Sequence, residues 1–108
     1  MENEIIEDMR VSLVKHFLNI IVLETLRHRS PLSGYDFMDV IQGRFDFSVS
    51  SGTIYSLLYH LEREGLTEGK MTDGKRVYTL TEEGQERLDS VLASKKEIIG
   101  FVETILKD

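Results

Sequence analysis

The spacing of apolar positions changes along the chain, and each change marks a structural element. Between Ser12 and Arg29, "SLVKHFLNIIVLETLRHR" places Leu13, Phe17, Ile20, Ile21, Val22, Leu23 and Leu26 so widely around a helical wheel that it predicts one central core helix, buried on most sides. "SPLS" ends it, because Pro31 disfavours helical geometry at Ser30. Ser33, with Asp36 three residues later, makes a capping-box-like start for a second helix, "GYDFMDVIQ", which offers Tyr35, Phe37, Met38 and Ile41 and runs into Gly43. "RFDFSVS" has low periodicity and reads as a connection.

The next stretch, "SGTIYSLLYHLEREGL", predicts a third helix with both ends marked. Ser50 is placed to cap its first turn. With Glu64 as C-cap, Gly65 falls where a left-handed residue is needed and Leu66 where a Schellman motif packs its apolar residue on Leu61. Two short β-prone segments follow around Asp73-Gly74, the pair favoured where both central turn residues take positive φ, so a hairpin is expected with its tip at Thr72 to Lys75. Thr81 caps a last helix that is acidic in its first turn and is expected to run unbroken to about Leu106 in spite of Gly84 and Gly100. Its apolar positions are Leu88, Val91, Leu92, Ile98, Ile99, Val102, Ile105 and Leu106.

On a wheel of the third helix, Ile54, Leu57, Leu58 and Leu61 share a narrow sector and point inward. Gly52, Ser56, Tyr59, His60 and Arg63 lie opposite, with Tyr55 on the flank. Three helices followed by a β-hairpin, with a small, polar and aromatic outer face on the third, is the order of a winged helix-turn-helix, whose third helix enters the DNA major groove while the hairpin meets the adjacent backbone. The residue types suit contact with a duplex. Serine and threonine bond to phosphate or base edges, Gly52 permits close approach, tyrosines supply hydroxyls and flat apolar area, and Lys70, Lys75 and Arg76 gather cations at the hairpin. Each feature taken singly has a plainer account: a tyrosine half-packed on a neighbour, ordinary capping, a solvated hairpin tip.

Composition sharpens this picture. The 108 residues suit a single domain, 1–108, with a single core. No apolar run reaches the roughly 20 residues of a membrane span, and the acidic start lacks the basic region of a signal peptide, so a soluble cytoplasmic protein with no membrane partner is expected. With no cysteine, disulfides, thiolate zinc sites and cysteine nucleophiles are all excluded. The net charge of −6, taken alone, argues against a polyanionic partner, but residues 1–10 carry four acids and one base and residues 81–108 seven acids and four bases, while 11–80 balance at eight against eight. Acidity therefore belongs to the ends.

"PLSGYDFMDVI", "SGTIYSLLYHLEREGL" and "RVYTLTEEG" resemble the PadR family of bacterial and archaeal transcriptional regulators, across roughly Leu18 to Leu88. The resemblance implies a mainly α fold with a small β-hairpin, a winged helix-turn-helix with an N-terminal helical extension (1–12), a winged-helix part (13–81) and a long C-terminal dimerisation helix (82–108). It implies a homodimeric repressor that binds double-stranded operator DNA through Ser51, Thr53, Tyr55, Ser56 and Tyr59, with Lys75 and Arg76 on the wing. Gly52 and Arg63 complete the expected DNA-binding set from the helical wheel. This chain has Ser56 where the family often has a proline. It also lacks the tryptophan on which some members stack a planar aromatic effector, so any small-molecule effector is of unspecified identity.

The last helix bears too broad an apolar stripe to bury within so small a domain, and "EIIEDMRVSL" bears a matching one. Ile5, Ile6, Met9, Leu88, Leu92, Ile99, Val102 and Leu106 are therefore expected at a two-fold interface. Catalytic, cofactor and metal sites are not expected, since His16, His28 and His60 lack ligand spacing and there is no phosphate loop. The remaining rival is a winged-helix module for protein contacts without DNA binding.

Overall fold

The computed structural model describes residues 2–108. Its elements are α1 (Glu2–His16), α2 (Leu18–His28), β1 (Leu32–Ser33), α3 (Gly34–Phe45), α4 (Ser51–Arg63), β2 (Thr67–Thr72), β3 (Lys75–Leu80), α5 (Glu82–Ala93) and α6 (Lys95–Ile105). The fold is mainly helical with a small antiparallel sheet in the order β1-β3-β2, and α2, α3 and α4 with the β2–β3 wing form the winged helix. Leu18, Val22, Leu23 and Leu26 of α2 meet Phe37 and Ile41 of α3, Ile54, Leu58 and Leu61 of α4, Tyr78 of β3 and Leu88 of α5 in one core.

Local signals formed as the side-chain chemistry requires. The Ser33 hydroxyl accepts from the Asp36 amide at 3.2 Å and the Asp36 carboxylate from the Ser33 amide at 2.8 Å, a reciprocal box at the start of α3. Asp73 and Gly74 both have positive φ, 50° and 79°, and turn the hairpin. The Thr81 hydroxyl accepts from the Gly84 amide at 3.0 Å and so caps α5.

Four expectations are corrected. The expected core helix is two helices, broken at Phe17 (φ −97°, ψ 11°): only α2 enters the core, and Leu13 and Phe17 remain exposed because their apolar face continues the stripe of α1. α3 runs past Gly43 and ends where Asp46 turns left-handed at φ 59°. The last helix is also two, broken at Ser94 (φ −94°, ψ 11°), where the serine hydroxyl donates back to the Ser90 carbonyl at 3.0 Å and its amide is shared between Ser90 and Val91. Leu88, expected at the dimer interface, is fully buried in the protomer's own core and is unavailable to a partner. One element was unforeseen: β1, two residues long, pairs Leu32 with Tyr78 and Ser33 with Val77.

Hydrogen bonding from the Ser33 amide, helped by its hydroxyl and by the charges of Lys75 and Arg29, holds the Asp36 carboxyl below its ordinary value of 3.8 in spite of partial burial. A carboxylate with a depressed folded pKa contributes stability above its unfolded pKa and loses it as the pH falls through the folded value. Asp36→Asn is accordingly expected to cost about 1 kcal/mol near neutrality and to remove part of the parent's stability loss below 3.8. Urea denaturation of both proteins at neutral and acidic pH checks this; parallel losses on acidification would refute it.

Candidate nucleic-acid interface

Helix α4 is pinned at both ends. The Ser50 hydroxyl accepts from the Thr53 amide at 3.2 Å and donates to the Thr53 hydroxyl at 2.8 Å. At the other end Gly65 takes φ 79°, its amide donates to Glu62 at 3.0 Å, and the Leu66 amide donates to Leu61 at 3.0 Å, a complete Schellman motif. Ile54, Leu58 and Leu61 seal the core and fix the rotation of the helix. Its opposite face is solvent-exposed: Ser51, Gly52, Thr53, Tyr55, Ser56, Tyr59, His60 and Arg63. A β-carbon on Gly52 would meet nothing within 4 Å among the described residues, so this position is open to close approach.

The tyrosines are not equivalent. Tyr55, 44% exposed, lays its ring over Gly34, where a β-carbon would stand 2.5 Å from Cε1. Tyr59 is 63% exposed and carries the Arg63 guanidinium 5.7 Å from its ring centroid, within range of a cation–π attraction. Tyr78 lies at the back, where burial pushes its phenol above its ordinary value against the opposing charge of Arg76. Between α4 and the wing these three rings, with Glu62, Arg63 and Arg76, line an open cleft of about 530 Å³.

The three wing cations part company. Lys70 and Lys75 are exposed and form no ion pair among the described residues. Arg76 instead pairs with Glu62 of α4, which raises its guanidinium pKa, and lies 5.9 Å from the centroid of Tyr78. Strand alternation supplied the missing signal: Arg76 is two residues from the buried Tyr78 and shares its face.

Lys15, His16 and Asn19, at the α1–α2 junction, were not among the expected site residues, yet they border a shallow groove with Thr53, Leu57 and His60 of α4. α6 has no buried residue and, with Leu106 at its C-cap, exposes Ile99, Phe101, Val102 and Ile105, while Leu92 of α5 and Ile5, Ile6 and Met9 of α1 are exposed too. Phe101, 67% exposed, stands three residues after Ile98 and four before Ile105, so it shares their spacing, yet it was not among the expected interface residues. Among the described residues, no three histidine or acidic side chains gather as metal ligands, and no helix is long and apolar enough to cross a membrane.

Comparison with known proteins agrees with this geometry. The pattern of the "Transcriptional regulator PadR-like family" matches residues 22–90, and no curated protein sequence matches the chain. A PadR-family transcriptional regulator from Eggerthella lenta superposes with TM-score 0.75 at 26% identity, covering 98% of this chain and 96% of that one. A PadR-like regulator from Bacillus cereus gives 0.70 at 25% identity, over 90% and 98% of the two chains. Bacillus subtilis PadR, solved in complex with operator DNA, gives 0.59 at 29% identity, over 69% of this chain and 47% of that one. The chain thus belongs to the PadR-like family of transcriptional regulators, which places it among regulators and not among enzymes.

Proposed function

We propose that the chain is a cytoplasmic, homodimeric repressor that binds a specific double-stranded operator, with α4 in the major groove and the wing along the backbone. The observation that carries this reading is the outer face of α4. Ser51, Gly52, Thr53, Ser56, Tyr59 and Arg63 stand free in solvent while the inner face is locked by three fully buried aliphatic side chains. A rigid, uncovered row of small, hydroxylic and cationic residues at one helix matches the donors and acceptors of base edges, and the α4 N-terminus favours phosphate. Tyr55 contributes from the flank, and Lys75, with Lys70, supplies phosphate contacts.

The experiment is a selection of duplex fragments bound by the protein, followed by fluorescence anisotropy across a salt series. Ser56→Ala combined with Tyr59→Ala is expected to weaken operator binding about tenfold and to leave binding to unrelated duplex almost unchanged. Lys75→Ala should reduce the log–log salt slope by about one with no change in sequence preference. Absence of any duplex binding at low salt would refute the proposal.

A further inference from the structure

Lys75 and Arg76 are neighbours in β3, but a strand sends neighbours to opposite faces, and their surroundings differ accordingly. Arg76 runs back from the hairpin tip along the inner face of the sheet. It crosses Gly69 so closely that a β-carbon there would stand 2.5 Å from Nε, passes over the ring of Tyr78, and ends on the Glu62 carboxylate of α4. Gly69 is the residue that leaves room for this path.

The position of Arg76 along the wing matters as much. β1 pairs only with Val77 and Tyr78, so the sheet has three strands at those residues and two beyond them. The stretch from Met71 to Arg76 is a two-stranded ribbon, and such ribbons hold their shape poorly without further support. Arg76 is the first residue past the last β1 pairing. There, where the third strand gives out, a charged and hydrogen-bonded tie to the recognition helix begins.

We infer that Arg76 and Glu62 form a strut that sets the angle of the wing against α4, acting as positioning residues for DNA recognition while Lys70 and Lys75 meet the phosphates. The recognition role rests on the DNA-binding reading above; the strut itself does not. The alternative, an arginine held in reserve by Glu62 until a phosphate displaces it, predicts the opposite response to loss of Glu62.

The test uses Arg76→Met, Glu62→Ala and the double variant. In the free protein, each single variant is expected to speed amide exchange at residues 71–76 about fivefold, the scale of a partly exposed ion pair, and to leave the α4 core amides unchanged. Unaltered exchange overturns the strut whatever happens with DNA. On DNA, each single variant should lower the ratio of operator to unrelated-duplex affinity about fivefold, and the double variant should be no worse than either, as members of one coupled pair behave. Arg76→Met should leave the salt slope of the parent intact. A slope reduced by about one, or a Glu62→Ala protein whose operator preference equals or exceeds the parent's, overturns the positioning role. A parent that binds no duplex while its variants loosen the wing overturns the DNA reading and leaves the strut standing.

Discussion

Gly84→Ala is expected to destabilise the protein by about 3 kcal/mol, roughly 15 °C in Tm, in thermal unfolding followed by circular dichroism. A β-carbon at Gly84 would lie 2.1 Å from the Leu66 carbonyl oxygen and 2.7 Å from a methyl of Leu80. The leucine methyl could rotate aside, but the carbonyl is backbone. It is also engaged, since it accepts from the Thr81 amide at 3.2 Å, while the Thr81 hydroxyl donates to Gly65 at 2.6 Å and caps α5. Helix propensity favours alanine in this first turn by up to about 1 kcal/mol, which the clash outweighs. Gly43→Ala is the matched control: a β-carbon there meets nothing within 4 Å among the described residues, and the exchange should be neutral or stabilise by up to about 1 kcal/mol. Equal melting of the Gly84→Ala protein and its parent would mean that α5 does not dock on Leu66 as described.

The second large effect concerns assembly. With Ile99 and Val102 both replaced by aspartate, the proposed dimer is expected to sediment as a monomer and to lose operator affinity on the order of a hundredfold, because its two linked reading heads would become one. The fold of the protomer should survive, since no residue of α6 is buried within it. Far-UV circular dichroism like that of the parent is therefore part of the expected result. A protein that still sediments as a dimer with two aspartates on this stripe would exclude α6 from the interface.

The readable parts of the sequence were those whose physics is local. Ser33 with Asp36, Ser50, Glu64-Gly65-Leu66, Asp73-Gly74 and Thr81 each satisfy backbone groups within a few residues, so spacing alone disclosed them, and with them the borders of α4 and the wing. What escaped depended on distant partners or on competition between near-equal conformations. β1 exists only because β3 accepts it, and two residues have no period to detect. The breaks at Phe17 and Ser94 sit between segments of good helical pattern on both sides. Leu88 belongs to the same linear stripe as Leu92, yet the docking of α5 divides that stripe within one helix, with Leu88 in the core and Leu92 at the surface. The outer face of α4 could be read because a helical wheel needs no tertiary information. Which wing cation is free could not be read from charge, since Glu62 lies 14 positions away from Arg76.

The bend at Ser94 carries a geometric consequence for any dimer built on α6. α5 is clamped to the reading head by Leu88 in the core and by the pairing of Arg27 with Asp89, so it moves with α4. α6 has 11 residues, about 16 Å of helix at 1.5 Å per residue. Pivoting it by about 15° at its first residue would carry its far end about 4 Å, close to the rise of a single base pair. In the proposed dimer on α6, the Ser94 hydroxyl bonded back to its own helix would thus act as the protractor that sets how far apart the two half-sites of the operator must stand.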